Sequence, residues 1–350
     1  MRRGTGLSAK LLISTAFATV LAASAVQAYA DTITFVSYGG SLKDAEEAAW
    51  LNDFQKENPG TEVLYDIVDL AKLKAMVEAN DVTWDVVSVT PDFGLKNDED
   101  LLEKIDCAVV PCDEVQLDKF QTTGYRVPEL TSGVVLGYNT EKMPEGKVPQ
   151  GWSDFFDLEK FPGKRVIMLD TSSFVFEQAL LGDGVDPKDL YPLDLDRAIA
   201  KLNSLGNNVV IAPSYQGCAE LVASGEAVMG GCWNGRFYDV RKRDGAPVEY
   251  QWNQYILGPG YFVVPKGSPN PEGAMKLIAY MLSADHNAEI SKYLPYGPVN
   301  VNALDKVPAD IKDYLPSSHF DGAVFPNDGW ISANREEVSR RWSEWVAGVN

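Results

Sequence analysis

The run WDVVSVT, residues 84–90, has no polar face, and neither does AVMGGCW, residues 227–233. A strand that is apolar on both sides must be covered on both sides, which is the signature of a parallel sheet under helices. The order of the surrounding segments agrees. TITFVSY and a GGS turn lead into LKDAEEAAWLNDFQKE, whose apolar residues Leu42, Ala45, Ala49 and Phe54 recur at helical spacing. Ser41 followed by Asp44 reads as its capping pair. TEVLYDIV is a strand, LAKLKAMVEAN a helix and WDVVSVT a strand, which predicts right-handed parallel crossovers.

A second unit of the same kind follows SGVVLGYNT. It runs KRVIMLD (strand), SFVFEQALLG and LDRAIAKLNSLG (helices), NVVIAP (strand), CAELVASGE (helix) and AVMGGCW (strand). Between the units lies the polar, Pro- and Gly-containing stretch PEGKVPQGWSDFFD. GPGYFVV then reads as a strand, followed by two helices joined near SADHN and a last helix over ANREEVSRRWSEWVAG. A chain of 350 residues exceeds one ordinary core, so two α/β lobes are expected. Neither is complete in one continuous stretch, so the chain crosses between them more than once.

The first 30 residues read as a signal peptide. MRRGTGLSAK is a positive n-region, LLISTAFATVLAASAV an apolar stretch too short and too small-residue-rich for a membrane anchor, and VQA or AYA a cleavage position near Ala28 or Ala30. GTG follows Arg2 and Arg3 where a twin-arginine signal wants bulky apolar residues, so the general secretion route is expected. Cleavage would remove three cations and no acid, taking the net charge from −19 to −22. Such a surface repels nucleic acid and anionic lipid, and neither is expected as a partner. The even count of four cysteines in an exported chain argues for two disulfides. Cys107 and Cys112 enclose a tight loop; Cys218 and Cys232 sit at the start of a helix and the end of the following strand, which antiparallel packing brings together. A four-cysteine zinc site is the weaker alternative, because the two pairs are far apart in the chain.

In open α/β sheets ligands bind beyond the carboxyl ends of the strands. The loops there are YGGS, TPDF, DTSSF, APSYQG and WNGRFY. They offer Tyr38, Phe174, Tyr215, Trp233 and Tyr261, the hydroxyls of Thr90, Ser172 and Ser173, and the amides of Gly39 and Gly40. They lack what catalysis needs. The two histidines, His286 and His319, fall in a polar helix and a loop; there is no GxSxG elbow and no GK[ST] after GGS. A hydrolase using two carboxylates stays open on composition alone. The inventory is that of a small-molecule pocket with no cofactor and no metal.

The segments FVSYGGSLKDAEEAAW, YDIVD, WDVVSVTPDF, VVLGYNTEK, WSDFFD, GKRVIMLD, ASGEAVMGGCWNGR, YFVVPKGSPNPEGAMKLIAYML and LPYGPVN, in this order and spacing, resemble the periplasmic solute-binding proteins of ABC importers, polyamine type. The resemblance covers essentially the whole mature chain. It implies a monomeric, periplasmic, non-enzymatic protein with a two-lobed Venus-flytrap fold and hinge crossovers, closing on a small ligand for an importer permease. Residues 31–137 with 257–300 would form one lobe, and residues 138–256 with 301–350 the other.

The resemblance also locates the departures. Four acids that grip ammonium groups in polyamine binders fall here on Gly40, Ser173, Arg236 and Gly260, while aromatics persist at Tyr38, Trp233, Tyr261 and Tyr296. Arg236 would repel a diamine and attract a carboxylate. Relatives with an arginine here bind ω-amino acids such as 4-aminobutyrate, reading the amine with an acid whose place here is Gly260. Asp92 or Glu129 would have to substitute; failing both, the ligand is a plain carboxylate or a betaine-like zwitterion resting on aromatic faces. The plainer alternative for Arg236 is a surface ion pair with Asp239 or Glu249.

Overall fold

The computed structural model describes residue 1 and residues 31–349 apart from 116–119 and 121. The expected signal peptide therefore lies outside the described residues. One sheet runs through the molecule. Its strands are β1 (Asp31–Ser37), β2 (Thr61–Ile67), β3 (Val86–Val89), β4 (Val127–Asn139), β5 (Arg165–Ile167), β6 (Val209–Ile211), β7 (Met229–Trp233) and β8 (Val248–Val263), in spatial order β2-β1-β3-β8-β4-β7-β5-β6. Two-residue β9 (Gly297–Pro298) and β10 (Ala323–Val324) pair with β4 and β8. The trios β2-β1-β3 and β7-β5-β6 are parallel, as the strand-helix-strand order dictates.

Between the trios, β4 and β8 run antiparallel, so the two half-sheets share a pair of long crossing strands. All 13 residues of β4 are buried. β8 begins well before the GPGYFVV segment that sequence marks as its strand. Its first half, VEYQWNQ, alternates apolar and polar residues with period two and is only partly buried.

The first helix also differs from expectation. It starts at Gly40, runs through Gly40–Glu46, a π-wound turn Glu47–Leu51 and Asn52–Glu57, and has no side-chain N-cap. Ser41 does not cap it, because its hydroxyl is spent across the cleft (below). Arg236 likewise lies not in a loop but in the first turn of the helix Asn234–Asp244, which follows β7 without an intervening residue. The polar composition of NGRFYDVRKRD hides this helix from a periodicity argument.

Cys107–Cys112 and Cys218–Cys232 are both disulfide-bonded, with Cα atoms 5.5 and 6.0 Å apart. The second ties the helix Tyr215–Ala223 to β7, directly beneath Trp233. The C-terminal helix Arg335–Gly348 straps both half-sheets. Its Trp342 and Trp345 indoles donate to Leu169 O and Asn203 Oδ1, while Arg335 pairs with Asp92 and Asp98. Nearby, buried Arg126 donates to Phe93 O at 2.7 Å and pairs with Asp328 at 3.2 Å. His286 stacks on Tyr280 and His319 on Trp252, both half-buried packing roles.

Removing the second bridge with Cys218→Ser/Cys232→Ser should cost about 3 kcal/mol, the loop entropy of a closure of this size. Urea denaturation measures it; an unchanged midpoint would contradict the tie's role. Burial also raises several carboxyls, among them Glu46 and Asp239, Glu129 and Glu177 from 4.5 to about 7, and Asp328 from 3.8 to about 6 despite Arg126. A raised group contributes its stability fully below its unfolded value and loses it as pH climbs through the folded one. The ligand-free protein should therefore melt at a higher temperature near pH 5.5 than near pH 8, with Glu177→Gln reducing the difference. A melting temperature that rises with pH across this window would contradict it.

Candidate functional site

The ends of β1 and β3, the crossing pair β4/β8 and the starts of the helices Tyr215–Ala223 and Asn234–Asp244 surround one small cavity. About 50 Å³ of it is open to the centres of water-sized molecules. One water needs roughly 10–15 Å³ by that measure, so the space suits a ligand of a few heavy atoms. Tyr38, Thr90, Trp233, Arg236 and Tyr296 line it, as expected, and so do Tyr215 and Glu129.

Arg236 is only 2% exposed. Its Nη1 donates to Ser41 Oγ at 2.9 Å and lies 3.5 Å from Gln216 Oε1; its Nη2 donates to Gly39 O at 3.1 Å. Ser41 in turn donates to Gln216 Oε1 at 3.0 Å. All these acceptors are formally neutral. Among the described residues no carboxylate lies within ion-pair reach, and Nε has no partner. The surface-pair alternative falls here, since Asp239 is taken by Arg243 and Glu249 by Arg241. With five N–H donors and three such contacts, the guanidinium keeps donors for an anion.

Two glycines make this possible. Gly39 and Gly40 have φ of 65° and 60°, a left-handed backbone that other residues resist. A Cβ on Gly40 would also lie 3.2 Å from Arg236 Nη1. At Gly40, where the resemblance led us to expect an acid, the missing side chain leaves room for the guanidinium.

The aromatic walls are held by their edges. Tyr38 meets Tyr215 edge to face at 5.3 Å, and Tyr215 donates to Asp170 Oδ2. Trp233 packs on Phe174 at 6.2 Å and presses on Gly258, where a Cβ would fall 2.5 Å from its ring. Tyr296, just before β9, lies against Gly235 in the same way. Burial raises both the Tyr38 and Tyr296 hydroxyls, so they stay protonated donors.

Other expected residues fall elsewhere. Tyr261 is fully buried away from the cavity, its ring 3.7 Å beneath the Arg126 guanidinium. Strand alternation explains this: Gly260 faces the cavity, so its neighbour faces the other way. Asp92 accepts from Thr90 Oγ1 and pairs with Arg335, and it does not line the space. Ser172 hydrogen-bonds Asp170 and Tyr215, and buried Ser173 also lies outside the lining. Gly39 and Gly40 touch Arg236 rather than the cavity. Sequence reasoning missed Leu42, Ser88, Val89, Leu130, Ser132, Gly258 and Pro259. The GPG within an apolar strand was the available signal, because strand glycines mark close approach.

Among the described residues, no group of three or more His, Cys, Asp or Glu side chains is placed to hold a metal, and no helix is long and apolar enough to cross a membrane.

Residues 14–316 match the family of bacterial extracellular solute-binding proteins. The chain is 32% identical to a gamma-aminobutyric acid-binding protein of Pseudomonas aeruginosa, over 93% of this chain and 94% of that one. It is 28% identical to spermidine/putrescine-binding periplasmic protein 1 of Haemophilus influenzae, over 87% of this chain and 83% of that one. Among solved structures, the Atu4243 GABA receptor superposes with a TM-score of 0.81 at 38% identity, covering 90% of this chain and 97% of its own. Proteins of this family bind a small molecule and deliver it to an ABC permease. The chain belongs to the bacterial extracellular solute-binding proteins, as a two-lobed α/β solute-binding component and not an enzyme.

Proposed function

We propose that the cleft captures a small carboxylate-bearing ligand, a 4-aminobutyrate-like amino acid or a betaine-like zwitterion, and that the chain delivers it as a periplasmic monomer to its ABC permease. The observation that carries this reading is Arg236, a buried cation lining the cavity with neutral partners and a free Nε. A buried charge without a counter-charge is costly, and a carboxylate bound to the guanidinium relieves that cost. Tyr38, Trp233 and Tyr296 supply faces for the rest of the molecule, each worth roughly 0.5–2 kcal/mol to a cation. The 4-aminobutyrate-binding relatives support the same class.

The polyamine reading suits other relatives but not this cavity. An ammonium about 4 Å from Arg236 would meet a repulsion of roughly 4 kcal/mol at an intermediate dielectric. In the proposed cycle the lobes, residues 31–137 with 257–300 and residues 138–256 with 301–350, close about β4 and β8. The contacts from Arg236 to Gly39 and Ser41 then belong to the closed form.

A thermal-shift screen of 4-aminobutyrate, other amino acids, betaines, dicarboxylates and polyamines should show stabilisation by carboxylate-bearing compounds and none by spermidine. Arg236→Ala should weaken the best of them at least about 100-fold, the scale of a buried charge-assisted pair. Arg236→Asp should lose carboxylates and gain putrescine. Undiminished carboxylate affinity in Arg236→Ala would sink the proposal, and turnover of the ligand would revive the hydrolase alternative.

A further inference from the structure

We infer that Glu129 reads the cationic end of the ligand, from space that Gly260 leaves open, so that the cleft is built for a primary ammonium and a carboxylate together. This rests on the carboxylate reading above and adds the opposite pole.

The strand register carries the inference. β4 and β8 pair Val127 with Phe262, Pro128 with Tyr261, and next Thr131 with Pro259. Glu129 and Leu130 thus stand opposite the single residue Gly260, a β-bulge. Bulges beside binding sites re-aim side chains, and this one turns Glu129 inward. A Cβ on Gly260 would lie 2.7 Å from Glu129 Oε2. The acid that the resembling proteins carry at that position is missing here, and a carboxylate from the neighbouring strand fills its place.

Its surroundings leave it unsatisfied. Glu129 is 1% exposed, lines the cavity, and takes one side-chain hydrogen bond, from Ser88 Oγ to Oε2 at 2.5 Å. Oε1 has no partner. The charged and titratable groups facing it are Glu46 on the first helix, Tyr38 after β1, Tyr296 before β9 and, across the cavity wall, Arg236. Among the described residues none is a cation within ion-pair reach. Burial holds its carboxyl up at about 7, and an incoming ammonium reverses that penalty.

Asp92, the other candidate, is already neutralised by Arg335 and lies outside the cavity. Glu46 is also outside it, with its oxygens taken by Ser37 and Tyr65. A quaternary betaine has no N–H for Oε1, and a dicarboxylate would place an anion against it. Of the classes Arg236 admits, an amino acid with a primary ammonium is the one that satisfies both poles.

Calorimetric titration of the full chain with 4-aminobutyrate and with pentanoate, which replaces the ammonium by a methyl group, tests this. Glu129→Gln should weaken 4-aminobutyrate at least about 30-fold and leave pentanoate unchanged or tighter. Glu129→Ala/Gly260→Asp should restore 4-aminobutyrate, whereas Gly260→Asp alone should lose it through collision with Glu129. Equal losses for both probes in Glu129→Gln would mean a structural role and overturn the inference. Wild-type affinity for 4-aminobutyrate in Glu129→Gln, with Arg236→Ala still defective, would overturn it while leaving the carboxylate reading intact. Failure of Arg236→Ala to weaken either probe would remove both.

Discussion

A guanidinium sealed from water without a carboxylate beside it is the constraint around which this cleft is arranged. Moving an ion of that size out of water costs several kcal/mol even after relaxation. Arg236 recovers part of that cost from Gly39 O, Ser41 Oγ and the nearby Gln216 Oε1. Those partners come from both sides of the crossing strands: Gly39 and Ser41 follow β1, while Gln216 and Arg236 follow β6 and β7. The same side chain therefore bridges the two half-sheets and, on a residue lining the cavity, leaves Nε without a partner. In the proposed cycle closure and recognition are therefore not separable.

Two glycines leave room for the two charged side chains of the cavity. At Gly40 the absence of a side chain leaves room for the guanidinium, and at Gly260 for the Glu129 carboxylate from the next strand. In the proposed site each pole thus depends on a glycine whose missing side chain makes the room. The resemblance marks four expected acid positions that hold none here, one of them holding a cation instead. The three-dimensional cavity registers one cation and one acid.

Much of this was legible in the chain. The parallel trios follow from apolar runs alternating with helical periods, and both disulfides follow from cysteine count and element order. Tyr38, Thr90, Trp233 and Arg236 were candidates because they sit in loops beyond strand ends, and Tyr296 because of the resemblance; all of them line the cavity. What stayed hidden depends on register. A one-residue alternation sends Tyr261 under Arg126 and leaves Gly260 at the cavity. A bulge fixed only by pairing across β4 and β8 decides that Glu129, and not Asp92, turns inward. Ser41 looks like a helix cap until the partner that claims its hydroxyl, 195 residues away, is in place.

The hydrogen bonds that Arg236 makes to the opposite half-sheet explain why a solute-binding protein would tolerate such a residue. Neutral acceptors hold its geometry without an ion-pair partner, so in the proposed cycle the ligand-free closed form is permitted yet not favoured. A carboxylate changes that balance without rebuilding the contacts, because it uses donors that Gly39, Ser41 and Gln216 leave free. A ligand shifts such an equilibrium only by its differential affinity for the two forms. In the proposed cycle a molecule that meets Arg236 and Glu129 at once gains that difference at both poles. In that cycle a molecule meeting one of them leaves the other group buried without a partner, so selectivity would follow from closure as well as from fit.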